Sequence, residues 1–98
     1  MNFNPLDLMK QVGVFQEKLA AISATGSSGG GMVEIDLNGK FEVTAVRIAP
    51  EAAEGGDTQM LQDLVMAAFS NGLEKIREAI GREAGTMAGG INIPGLFG

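Results

Sequence analysis

Few residues of this chain are of a type that does chemistry. Glu34, Asp36 and Glu42 could converge on one face of a hairpin as oxygen ligands for a hard cation. On an exposed sheet face carboxylates are ordinarily solvated, so neither a metal nor any other cofactor is expected. There is no cysteine and no histidine, which removes the thiolate nucleophile, the commonest metal ligand and the commonest general base. Ser23, Ser27, Ser28 and Ser70 have no evident base beside them, and nothing marks any lysine for a depressed pKa. The run Gly29-Gly30-Gly31 precedes a strand and no lysine follows it, whereas a phosphate-binding loop follows a strand and ends in Gly-Lys-Ser/Thr. The composition therefore points away from an enzyme and from a small-molecule substrate, and towards a binding protein.

The elements that would carry such a function are legible in the spacing. Asn4-Pro5 opens a helix: asparagine caps, proline suits the first helical position, and Asp7 favours the positive end of the helix dipole. Leu8, Val12, Phe15, Leu19 and Ile22 then recur at steps of four and three. At about 100° per residue they fall in an arc of about 80°, the narrow seam of helix-on-helix packing. This predicts helix one over 4–24. Thr25–Gly31 reads as a linker loop. In Met32–Leu37, Val33, Ile35 and Leu37 alternate with polar residues as in a half-buried strand. Asn38-Gly39 is a hairpin signal whose two turn positions take positive φ. The return strand carries Phe41, Val43 and Ala45 in one phase and Val46 and Ile48 in the other, so a β-bulge or a third strand is expected near Ala45-Val46. Glu51–Gly56 reads as a loop, and Asp57 as the cap of a second helix over 57–84 or a little beyond. Its apolar stripe, Leu61 to Ile80, is about 180° wide, enough to face both a sheet and a partner helix.

The expected fold is therefore α+β: a long N-terminal helix, an antiparallel hairpin or meander of two or three strands, and a long C-terminal helix. Residues 1–88 form one domain, and 89–98 a Gly/Pro-containing flexible tail with apolar Ile91, Ile93, Leu96 and Phe97. A chain of 98 residues without disulfides or metal gains from sharing a core with a second copy. The seam could be covered by helix two of the same chain or by a second chain. The second is expected, which makes Leu8, Val12, Phe15, Leu19 and Ile22 a dimer interface. Met1–Asp7 carries no positive run ahead of an apolar stretch, and no apolar run reaches the ~20 residues of a membrane helix. A soluble, cytoplasmic protein without a membrane partner is expected. The net charge is −5. The excess sits in residues 32–57, where six acids face two bases, Lys40 and Arg47, while the helices are near neutral.

Taken in order, several stretches resemble the YbaB/EbfC family. They are Leu8-Met9-Lys10-Gln11 and Gln16-Glu17-Lys18 in helix one, Thr25-Gly26 before the glycine run, and Asn38-Gly39. Then come Val46, Ile48 and Pro50, Asp63-Leu64-Val65, Ala67-Ala68-Phe69 and Pro94-Gly95. The resemblance implies a tweezer-like homodimer of bacterial origin that binds double-stranded DNA with modest sequence preference, associates with the nucleoid and bears on gene regulation. In the family the helical arms are the DNA-contacting parts. Here that points to Lys10, Lys18, Lys75, Arg77 and Arg82. The charge distribution agrees, because the hairpin is too acidic to face phosphates. Helix one is about one heptad shorter than in longer members, and Thr44 and Ala45 stand where some members carry two arginines. Each phosphate left without a basic partner lowers the salt slope by about 0.9. The alternative is a dimeric scaffold for protein partners without appreciable DNA affinity.

Overall fold

The computed structural model describes residues 4–87, so the expected tail at 89–98 lies outside the described residues. The element order is α1 (Pro5–Ala21), β1 (Ser23–Ser28), β2 (Val33–Asn38), β3 (Val43–Ile48), α2 (Pro50–Glu54) and α3 (Thr58–Met87), the α+β arrangement expected. The strands form one antiparallel sheet in the order β1-β2-β3. Both long helices start where the caps foretold. The Asn4 side-chain oxygen accepts from the Leu6 amide at 3.0 Å, and that of Asp57 from the Met60 amide at 3.0 Å.

The core lies between one face of the sheet and α3. Val33, Ile35 and Leu37 of β2 point into it and meet Ala68, Ile76 and Ala79 of α3, with Leu61, Leu64, Val65, Leu73 and Ile80 packed around them. Val33, Leu37 and Ile76 are fully buried, each contributing about 1.5–3 kcal/mol by leaving water. The described residues span 63 × 25 × 17 Å, because α1 projects instead of folding back over the sheet.

Several local expectations are corrected. Residues 25–28 are strand, not linker. Ser23–Ser28 pairs with β2 from Ser23↔Asn38 to Ser28↔Val33. It is held by α3 as well as by β2: the Ser28 hydroxyl donates to the Leu64 carbonyl at 2.6 Å, the Asn71 side chain accepts from the Ser27 amide at 3.0 Å, and Gly26 lies directly against Ala68 and Gly72. The turn is reduced to residues 29–32, with Gly29, Gly30 and Gly31 at φ of 60°, 68° and 93°. Helix one ends at Ala21, because Ile22 turns extended (ψ 130°) to feed β1. Residues 50–54 form the short α2.

The β2–β3 connection is also not the two-residue turn that Asn-Gly suggested. Neither Asn38 nor Gly39 has positive φ; Phe41 does, at 60°. The Phe41 amide donates to the Asn38 carbonyl at 2.9 Å and the Asn38 amide to the Glu42 carbonyl at 3.1 Å. This is a three-residue loop closed by a left-handed residue. The Asn38 side chain holds it, accepting from the Lys40 and Glu42 amides at 2.9 and 3.1 Å. The expected bulge exists one residue early. Asp36 faces Ala45 and Leu37 faces Val43, so Thr44 is the extra residue.

Candidate nucleic-acid interface

No described residue of α1 is buried. Leu8, Val12 and Phe15 are about half exposed (51%, 49% and 49%), and Leu19 is partly covered near the helix end. Ile22 has left the helix and packs against the core. The narrow seam predicted from the spacing is therefore present over Leu8–Leu19, and helix two of the same chain does not bury it.

All five predicted basic contacts are exposed. Lys10 and Lys18 lie eight residues apart on α1, which places them about 12 Å apart along the axis and within about 80° of each other. Lys75 and Arg82 are one heptad apart on α3, about 10 Å along the axis and on nearly the same side. Arg77 points to the opposite side of α3, about 200° from Lys75, so the five do not form one patch within a chain. The two helices do meet at one place. Lys18, Ala21, Ile22 and Ser23 line one wall of an open cleft of about 510 Å³, and Ala79, Arg82 and Glu83 line the other.

The cations of the sheet region are differently disposed. Arg47 grips Asp36 with both guanidinium arms, at 2.8 Å each, and reaches Glu34 at 3.4 Å. The Thr25 hydroxyl adds a bond to Asp36 at 2.7 Å. The Arg47 hydrogen bonds, with the Thr25 bond next in weight, hold the Asp36 carboxyl down at about 2, and Asp36 in turn raises the Arg47 pKa. Lys40 lies 3.9 Å from Glu42. The three carboxylates that could have shared a cation are thus divided between Arg47 and the Asn38–Lys40 loop, and among the described residues no acidic group is arranged to hold a metal. By contrast, Lys10, Lys18, Lys75 and Arg77 form no ion pair among the described residues.

One surface was not singled out from the sequence. The register places Val43, Val46 and Ile48 opposite Leu37, Ile35 and Val33, hence on the core face of the sheet. Yet α3 crosses β1 and β2 and leaves β3 largely uncovered. Val43, Val46 and Ile48 are 48%, 52% and 39% exposed, with Phe41 at the adjoining loop. The phase slip at Ala45-Val46 was the available signal. It brings Val46 and Ile48 round to the same face as Val43, which a regular alternation would not.

A three-stranded meander backed by one long helix, with a second helix standing off as an arm, defines a small α+β binding module whose chemistry is on its surface. No described helix is long and apolar enough to cross a membrane. The chain belongs to the YbaB/EbfC DNA-binding family, whose model matches residues 5–91, a family of DNA-binding proteins and not of enzymes. A nucleoid-associated protein of Syntrophobacter fumaroxidans is 42% identical, the match covering 96% of this chain and 89% of that protein. The nucleoid-associated protein amb4104 of Paramagnetospirillum magneticum is 40% identical over 93% of this chain and 92% of its own length. Among solved structures, the crystal structure of the uncharacterized protein HP0035 from Helicobacter pylori superposes with a TM-score of 0.62 at 30% identity, covering 86% of this chain and 99% of that one.

Proposed function

We propose that this protein is a dimeric, nucleoid-associated DNA-binding protein of low sequence specificity, located in the cytoplasm at the nucleoid, whose helical arms contact phosphates. The observation that carries this reading is the division of the basic residues. Lys40 and Arg47 are occupied by carboxylates of their own sheet region, whereas Lys10, Lys18, Lys75 and Arg77 are exposed and make no such pair among the described residues. These four are the groups offered to a polyanion, and Arg82 stands at the cleft beside Lys18. Phosphate contacts position a protein on DNA without reading its sequence, which is the basis for low specificity.

Dimerisation completes the reading. The seam formed by Leu8, Val12, Phe15 and Leu19, with Ile22 anchoring its base, is uncovered within one chain, and so is the inner face of β3. A second copy covering these surfaces would place two arms in one particle and let them bind one duplex together. The names of the relatives support the nucleoid as the site of action.

The test is a gel shift titrated with salt on wild type and on the Lys10→Ala/Lys18→Ala variant. Retardation at low salt should collapse towards physiological salt, and the variant's slope of log K against log salt should fall by about 0.9 for each phosphate it no longer neutralises. No retardation at low salt and high protein concentration would rule the reading out. The scaffold reading draws on the same bare β3 face. It would gain from a stoichiometric protein partner that is retained after nuclease treatment and displaced by Val46→Asp.

A further inference from the structure

Among the described residues, one backbone group hydrogen-bonds the base of α1 to the β2–β3 loop. The Gly39 amide, in the β2–β3 loop, donates to the Leu19 carbonyl at 2.9 Å and to the Ile22 carbonyl at 3.0 Å. Leu19 and Ile22 are the last places where α1 can be held, since no residue of the helix is buried. Gly39 is itself buried, and a Cβ there would fall on the Leu19 carbonyl oxygen, far inside 3.0 Å. Glycine is required here by closeness of approach and not by φ, which is ordinary. Beside this joint the open cleft between Lys18 and Arg82 leaves the helix room to swing towards α3.

We infer that Gly39 is the positioning residue that sets the direction of the α1 arm, and through it the placement of Lys10 and Lys18. The consequence for DNA rests on the function proposed above; the joint itself does not. The leverage is large. If Leu19 gives by about 1 Å while Ile22, about 5 Å away along the axis, stays fixed, the helix turns by roughly 10°. Gln11, some 16 Å from Ile22, then moves by about 3 Å. Two arms displaced in this way no longer present their lysines at the spacing of one duplex.

The chain contains no cysteine, so pairs of spin labels can be placed without ambiguity. Labels at Gln11→Cys on α1 and Gln62→Cys on α3, in full-length chain diluted tenfold with unlabelled chain, report the arm's direction by pulsed electron resonance. Wild type should give one narrow distance. Gly39→Ala should move it by about 3 Å or broaden it, with α3 still folded, and weaken low-salt DNA binding severalfold. A broad wild-type distance overturns the inference, as does a folded Gly39→Ala chain with an unchanged distance. An arm that moves without loss of DNA affinity overturns the placement of Lys10 and Lys18 by this joint. Should Gly39→Ala fail to fold, amide exchange on wild type decides: the Gly39 amide should be as protected as those of β2, and exchange as fast as Gly30 overturns the joint. If wild type binds no DNA the proposed function falls, while the label distances still test the joint.

Discussion

At the scale of single residues, close approach matters more than side-chain identity. At Gly26 a Cβ would meet the Ala68 carbonyl and the Gly72 backbone, groups with no flexible end to give way. Gly26→Ala should therefore lower stability by about 1–3 kcal/mol or more, as expected for overpacking against rigid neighbours, and a urea melt should show it as a lower midpoint. Asp36 makes a different kind of prediction. Its carboxyl is held at about 2 in the fold against 3.8 for the free side chain. The ionised form is thus favoured by folding, so its contribution is fully present above about pH 4 and disappears as the pH falls through about 2. Asp36→Asn should melt below wild type at pH 7, and the gap between the two melting curves should close near pH 2. These residues also show what a sequence withholds. That Arg47 would be committed to Asp36 follows from the Glu34↔Arg47 and Asp36↔Ala45 register, which depends on a bulge at Thr44. A one-residue change of register would have sent Arg47 to the other face.

At the scale of elements, the parts with a strong period were legible and the parts held by others were not. The four-three spacing of α1 and the broad stripe of α3 identified both helices, and Val33-Ile35-Leu37 identified β2. β1 has no comparable signal: Ser-Ala-Thr-Gly-Ser-Ser is strand because β2 supplies its ladder and α3 covers it. The basic residues of the candidate interface were nameable, and helical spacing alone separates Arg77 from Lys75. The cleft that brings Lys18 and Arg82 together was not legible, because it depends on how α1 leaves the sheet. Since α1 buries nothing within the chain, its stability rests on propensity and on whatever covers it. Gly13 lies in mid-helix, and a Cβ there would meet nothing within 4 Å. Gly13→Ala should stabilise the arm by about 1 kcal/mol, read as slower amide exchange throughout α1 with α3 unchanged.

At the scale of the whole molecule, the uncovered seam and the uncovered β3 face both bear on what completes the core. A single chain leaves Phe15, Val43 and Val46 about half in water. Phe15→Asp and Val46→Asp should each shift sedimentation from dimer towards monomer at micromolar concentration without unfolding the sheet–α3 core. DNA affinity should fall with the dimer, because a single arm loses the advantage of a second, tethered one. A variant that remains dimeric would remove its residue from the proposed interface.

The Asn38-Gly39 step, one of two Asn-Gly steps in the chain with Asn71-Gly72, is also a potential site of chemical damage. Asparagine followed by glycine is the dipeptide most prone to deamidation, in which the glycine nitrogen attacks the asparagine side-chain carbonyl, ammonia leaves and a succinimide forms that water then opens. Here the Gly39 N–H is already engaged by Leu19 and Ile22, and the buried Asn38 side chain donates to Glu42 at 2.9 Å. Both engagements oppose ring closure to the succinimide while α1 stays seated. Each detachment of the helix exposes the step to that reaction, and the isoaspartate it leaves adds a methylene to the backbone and a negative charge at the loop that held the helix, so the arm would reseat less well afterwards.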